Sequence, residues 1–260
     1  MTHWPSSGTL STMWNTFIYK PILNILVVLL SYVTMGDLGF AVIILTILVK
    51  VILYPLSKKA ITSQIDMASI QSDIAEIKAK KLSKEEEAKE TFALYKDKKV
   101  NPFSGCLVII IQIPIIFGLY FVFLKGLNLD NALLYSFVHV PESINTVFLG
   151  LIDLTKTHSI WIAIITGLTQ FIQVYVSPTQ KIQAKTSASQ KGLSADIQKS
   201  MQTQMKYVFP IIIAFITYRI QAAVGLYWIV NNLITIVQER SIAKAIAKKE
   251  VLKVTAEVIK

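Results

Sequence analysis

Five stretches of this chain, at about residues 37–57, 104–124, 159–177, 205–220 and 223–239, are long and apolar enough to cross a lipid bilayer. Crossing takes roughly 20 residues of helix, and nothing else constrains the fold as strongly. Charged residues make up 16% and hydrophobic residues 53% of the chain, with a mean hydropathy of +0.54. A soluble domain carries about 25% charged residues, so this chain keeps too few for a water-facing surface. The expected class is an all-α integral membrane protein with five transmembrane helices. An earlier apolar stretch from Ile22 to Met35 is about 14 residues long. That is short for a span, and Pro21 suits a first helical turn, so it reads as an N-terminal interfacial amphipathic helix. A cleaved signal peptide fits less well, because no small-x-small site follows. The fourth span is short and the fifth follows closely, so the turn around Arg219 to Gly225 must be tight.

Lysine placement orients the set. The connection 58–103 carries ten lysines, the connection 178–206 carries five, and residues from 240 onward carry six basic groups. The opposite side has Lys20, Lys125, Lys156 and Arg219. By the positive-inside rule the N-terminus lies outside, and both basic connections and the C-terminus are cytoplasmic. The organisation expected is an extracytoplasmic segment (1–36), a first span (37–57), a cytoplasmic helical hairpin (58–103), four further spans with their loops (104–240) and a basic tail (241–260). In the hairpin Ile61, Ile65, Ile70, Ile74 and Ile77 recur at helical intervals. Ser83 and Glu86 have capping-box spacing, Glu85 and Lys89 form an i,i+4 pair, and Ala88, Phe92 and Tyr95 make an apolar stripe.

Inside the first span stands Lys50. A charge at the bilayer centre costs roughly 2.5–3.5 kcal/mol, so a lysine there has either a function or an escape route. The escape is snorkelling toward the polar run at Ser57, about 10 Å along the helix. Other spans also carry polar faces. Gln112 precedes Pro114, where the helix should kink. Thr166, Thr169, Gln170 and Gln173 lie together, and Trp228, Asn231, Asn232 and Thr235 follow i, i+3, i+4, i+7 spacing. Either these are interhelical hydrogen bonds, or they line a wet cavity into which Lys50 points.

Bond-making chemistry has no support. A single cysteine, Cys106, excludes an internal disulfide, and His3, His139 and His158 are scattered. There is no phosphate loop and no paired carboxylate within a span, so neither an enzyme nor a cofactor is expected.

Tyr95-Lys96, then Lys99 to Cys106 (KVNPFSGC), Ile111-Gln112-Ile113-Pro114-Ile115 and Gly118-Leu119-Tyr120 form a long and specific run. With Tyr19 to Asn24, Thr46 to Leu56, Ser177-Pro178-Thr179 and Gly225 to Asn232, it resembles the YidC-type membrane protein insertases over about residues 17–241. Relatives of that family occur in mitochondria and chloroplasts. The resemblance implies five spans, an outer interfacial helix and a cytoplasmic hairpin. It also implies an insertase and folding chaperone, with a hydrophilic groove open to cytoplasm and lipid through which nascent transmembrane segments pass. By position, Lys50 is the groove charge, with Thr46 one turn before it and Gln173, Trp228 and Gln112 lining the groove. The family usually has arginine where this chain has Lys50; lysine keeps the charge but loses the planar fork.

The implied partners are nascent membrane proteins, membrane lipids, the ribosome through the basic tail and loops, and the Sec translocon. Ribosomal RNA and anionic lipid head groups would attract the tail equally. The large outer domain of some bacterial members, their lipoprotein cysteine and a long basic extension have no counterpart here, and the expected location is a bacterial plasma membrane. The rival reading is a small transporter using Lys50 as a substrate counter-charge. It predicts an internal repeat, which the sequence lacks. A pure assembly factor stays open and predicts that neutralising Lys50 does little.

Overall fold

The computed structural model describes residues 9–80, 82–101, 104–124, 133–181 and 199–258, with side chains for 12–80, 82–101, 112–124, 133–181 and 199–248. Lys81, Pro102, Phe103, Lys125, Lys185, Lys191 and Lys260 lie outside the described residues, as do the side chains of Cys106, Ile111, Lys249 and Lys253. The described chain is mostly helical and divides into two compact units.

The first unit comprises Met1–Val51, Ile110–Leu168 and Ile212–Asn231. It opens with a nearly continuous helical run: α1 (Thr9–Trp14), a π turn (Asn15–Tyr19), α2 (Lys20–Val28) and a second π turn (Leu29–Val33). Residues Thr12–Val33 form a 22-residue helix that is long and apolar enough to cross a membrane. The 14-residue estimate for this helix was therefore too short. Asn15, Thr16 and Lys20 lower the hydropathy before Pro21 without breaking the helix. Leu26, Val27 and Leu30 from this run join Leu38, Val42, Leu45, Leu119 and Tyr227 in the buried core.

Asn24 fastens the run to a distant segment. Its Nδ2 donates to the carbonyls of Lys20 (2.8 Å) and Leu133 (3.1 Å), and its Oδ1 accepts from the Tyr135 amide at 2.7 Å. At Gly36 (φ +87°) a Cβ would lie 2.5 Å from the Ser143 carbonyl oxygen, so the turn into α3 (Leu38–Ile52) needs glycine. Two short antiparallel strands, β1 (Val147–Phe148) and β2 (Ile152–Asp153), add the one departure from an all-α chain among the described residues. The Asp153 carboxylate is held below its ordinary pKa, chiefly by the hydrogen bond that the Thr155 hydroxyl donates to it.

Later helices are α7 (Ser104–Leu124), which continues through Pro114, α8 (Ile160–Val176), α9 (Phe209–Arg219) and α10 (Ala222–Val258). The turn between α9 and α10 is as tight as expected. His158 N donates to the Tyr218 carbonyl, and the amides of Ala222 and Ala223 donate to Lys156 and Leu154, so the turn is pinned from both sides. By contrast, α10 does not stop near 240. It runs for 37 residues through most of the basic tail.

The second unit comprises Ile52–Ile109, Thr169–Ile211 and Asn232–Lys260. The first predicted span is broken at Leu53, and α4 (Tyr54–Ser69) begins with Pro55 in its first turn, where a missing N–H costs nothing. Counted with its partner across the break, it makes at most two helices among the described residues that pass for spans by length and composition. Next come α5 (Gln71–Ala79) and α6 (Lys84–Asp97), which pack on each other. Ile74 and Ile77 are buried, but α6 buries none of its residues, and Phe92 is exposed beside Tyr95. Ala88 and Phe92 thus face outward, and Tyr95 is half-buried. Ion pairs join the two helices instead: Lys80–Glu90 at 2.7 Å and Lys98–Asp73 at 3.8 Å. The capping box is present, with Ser83 Oγ accepting from the Glu86 amide and the Glu86 carboxylate accepting from Ser83. Those bonds hold Glu86 below its ordinary pKa.

Candidate functional site

Two helices, α8 and α9, enclose polar side chains while exposing apolar ones. On α8, Thr166, Thr169 and Gln170 are buried, whereas Trp161, Ile164, Leu168 and Ile172 are exposed. On α9, Thr217 is fully buried and spends its hydroxyl on the Ile213 carbonyl, whereas Ile211, Phe215 and Ile216 face outward. On α3 the buried face is apolar, with Leu38, Ala41, Val42 and Leu45, and Thr46 is the polar residue enclosed among them. In water this arrangement would leave large apolar patches uncovered; against lipid it is the favourable one.

In the first unit, Lys50 sits half-buried in the last turn of α3. Thr46, one turn earlier, has no exposure, and its hydroxyl donates to the Val42 carbonyl at 2.7 Å. It therefore packs α3 rather than offering a free hydroxyl. Gln112 is half-buried and its Nε2 donates to the hydroxyl of the buried Tyr227, joining α7 to α10. Trp228, the next residue on α10, is half-buried. Thr166 Oγ1 donates to the Ile162 carbonyl at 2.7 Å and reaches the Gly225 carbonyl at 3.4 Å. A side chain at Gly225 would strike Ile162, so α8 and α10 approach this closely only because that position is glycine.

In the second unit the same two helices carry a polar ladder. Asn232 Nδ2 donates to Thr169 Oγ1 at 3.3 Å, with both residues buried. One turn on, Gln170 Nε2 donates to Gln173 Oε1 at 3.3 Å, and Gln173 Nε2 donates to Glu239 Oε1 at 3.1 Å. Contact positions rise together along both helices, so α8 and α10 run parallel. The sequence reading singled out Gln173, Thr169 and Asn232 but missed Glu239. Its signal was available: Glu239 continues the Trp228, Asn232, Thr235 spacing by one more turn, yet its charge made it read as the end of the span. Tyr227 was noticed only within a motif. Among the described residues no three His, Cys, Asp or Glu side chains gather as metal ligands.

A family model described as "60Kd inner membrane protein" matches residues 29–249. Curated relatives are similar over most of this chain. The membrane protein insertase YidC of Citrifermentans bemidjiense is 32% identical over 238 residues, covering 90% of this chain and 38% of its own length. Its namesake in Pelobacter propionicus is 32% identical, covering 90% and 40%, and that of Campylobacter jejuni is 30% identical, covering 91% and 39%. The chain therefore spans about two fifths of the length of the curated relatives it matches.

Proposed function

The chain belongs to the 60Kd inner membrane protein family, and from that premise we propose that it is a membrane protein insertase of the bacterial inner membrane. It takes nascent transmembrane segments through a hydrophilic groove and assists their folding as a chaperone. The observation that carries this reading is the burial of Thr166, Thr169 and Gln170 on α8 and of Thr217 on α9, beneath exposed isoleucine, leucine and phenylalanine on the same helices. Such helices stand in lipid and supply a polar interior. Five spans, with the N-terminus outside and the C-terminus cytoplasmic, are supported by the lysine asymmetry and by the parallel course of α8 and α10.

In this proposal Lys50 provides the groove charge and attracts acidic residues of the incoming segment. Gln112, Gln173 and Trp228 offer polar wall, and Thr46 fixes the helix that carries Lys50. A polar wall lowers the desolvation cost of moving hydrophilic residues part-way across, and local thinning shortens the rest of the path. Release of the apolar segment into lipid supplies the drive, so no bond needs to be made or broken by the protein. Nascent membrane proteins are the substrates, and the ribosome, the Sec translocon and membrane lipids are the expected partners.

The test is reconstitution of the purified protein in liposomes with a single-span substrate whose outer segment is acidic. Lys50→Arg retains insertion, Lys50→Ala lowers it and Lys50→Glu abolishes it. Equal yields from wild type and Lys50→Glu would refute the groove charge. Absence of insertion by folded wild type would refute an insertase that acts alone.

A further inference from the structure

Between the end of α8 and the start of α9, within the second unit, lies a cavity of about 490 Å3 lined by Tyr175, Lys181, Lys199, Thr203, Lys206 and Tyr207 among others. Among the described residues that line it, three are lysines and none is a carboxylate. Lys206 is fixed over two rings, its Nζ 4.7 Å from the Tyr175 centroid and 5.2 Å from that of Tyr207. Thr203 donates its hydroxyl to the Lys199 carbonyl at 2.9 Å, which holds the lysine's own turn. A second cavity of about 330 Å3 shares Lys181 and adds Arg240 and Lys244, so the positive wall continues beyond the first. Positive charge concentrated on Lys181, Lys199 and Lys206, with Arg240 and Lys244 beyond, selects an anion, and the contact with two rings holds the Lys206 ammonium at the cavity wall.

What surrounds the cavity identifies the anion's carrier. Phe171 stacks on Tyr175, with centroids 5.9 Å apart, and meets Tyr207 at 6.0 Å, making an aromatic layer beside the lysines. Ile172, Val208 and Ile211 stand exposed on the adjoining turns. Tyrosines flanked by lysine on one side and open aliphatic surface on the other mark the boundary between lipid tails and water. A nucleic acid or a free anion has no use for the aliphatic part. We propose that this cavity holds the phosphate head group of an anionic phospholipid, whose acyl chains lie along the exposed aliphatic turns. The site is separate from the residues proposed for insertion and does not depend on that role.

The test uses the full chain in detergent, incubated with phosphatidylglycerol or phosphatidylcholine, with retained lipid counted by native mass spectrometry. Wild type retains phosphatidylglycerol selectively. Each lysine beside an anionic surface contributes a factor of about five, so the triple variant Lys181→Gln, Lys199→Gln, Lys206→Gln binds it roughly 100-fold more weakly. A control that removes the same charge from α6 (Lys84→Gln, Lys89→Gln, Lys96→Gln) keeps full retention. Circular dichroism confirms that both variants stay helical, and Lys206→Arg, which keeps charge and ring contact, retains binding. Equal loss in the α6 control, equal retention of phosphatidylcholine, or displacement of the lipid by millimolar inorganic phosphate would overturn the proposal. So would loss of ribosomal RNA binding in the triple variant with lipid retention unchanged.

Discussion

The first unit and the α5–α6 pair are both helical, but they are held together by opposite means. In the first unit Leu26, Leu30, Leu38 and Leu45 are almost wholly enclosed, and polar side chains such as the buried Asn24 and the half-buried Gln112 are spent on specific partners. Between α5 and α6 two isoleucines from α5 provide the buried apolar contact, while exposed ion pairs and a capping box do the rest. Packing and buried hydrogen bonds are insensitive to salt and pH near neutrality. Exposed ion pairs are worth about 0–1 kcal/mol and are screened. The pair α5–α6 should therefore be the first part of the described chain to open.

The largest expected effect comes from Leu26→Ala. Removing a fully enclosed leucine leaves a cavity and costs about 2–5 kcal/mol, measured as the resistance of the purified protein to unfolding in detergent. A loss as small as that of a surface substitution would erase the contrast between the regions. Asn24→Ala comes next. It strands the Leu133 carbonyl and the Tyr135 amide, at about 1–3 kcal/mol for each unsatisfied group, and should expose residues 133–135 to hydrogen exchange. Smaller again is Asn232→Ala on the α8–α10 ladder, since such bonds in membranes average about 0.6 kcal/mol. A large effect there would promote the ladder from glue to keystone.

The smallest change is specific to α5–α6. Raising the salt concentration should speed amide exchange in these helices and leave α2 unchanged. Acid should do the same, because the pKa of Glu86 is depressed in the folded chain. Its stabilising effect is complete above the ordinary glutamate value of 4.5 and fades as pH falls through the lower folded value. Equal sensitivity of α2 and α6 to salt would sink the distinction.

Local signals in the sequence proved reliable where one element decides the outcome. Apolar stretches marked α7, α8 and α9, and the Ser83–Glu86 spacing marked a cap that the structure contains. Failures came where a distant partner decides. Nothing near Asn24 announces Leu133 and Tyr135, and the β1–β2 ladder pairs strands of two residues, too short for an alternating pattern to show. The polar residues before Pro21 hid the first half of the N-terminal helix. Lysines after Arg240 suggested a loose tail, although lysine is a good helix former and α10 continues through them. Gln173 was legible as a polar position, but its partner Glu239 was not, because a carboxylate at the edge of an apolar run reads as a boundary. Thr46 was legible too as the residue one turn before Lys50, but its full burial and its bond to the Val42 carbonyl were not.

The bonds made by Asn24 also set a schedule. Its two distant partners lie 109 and 111 residues further along the chain, so they do not exist when the first helix is made. At about 5–20 residues per second, roughly 5–20 s of synthesis separate the buried amide from the groups that complete it. During that interval the Lys20 carbonyl is the partner within its own helix. The N-terminal helix is therefore made early but locked late, and the segment 133–135 closes the latch only after α7 has been made.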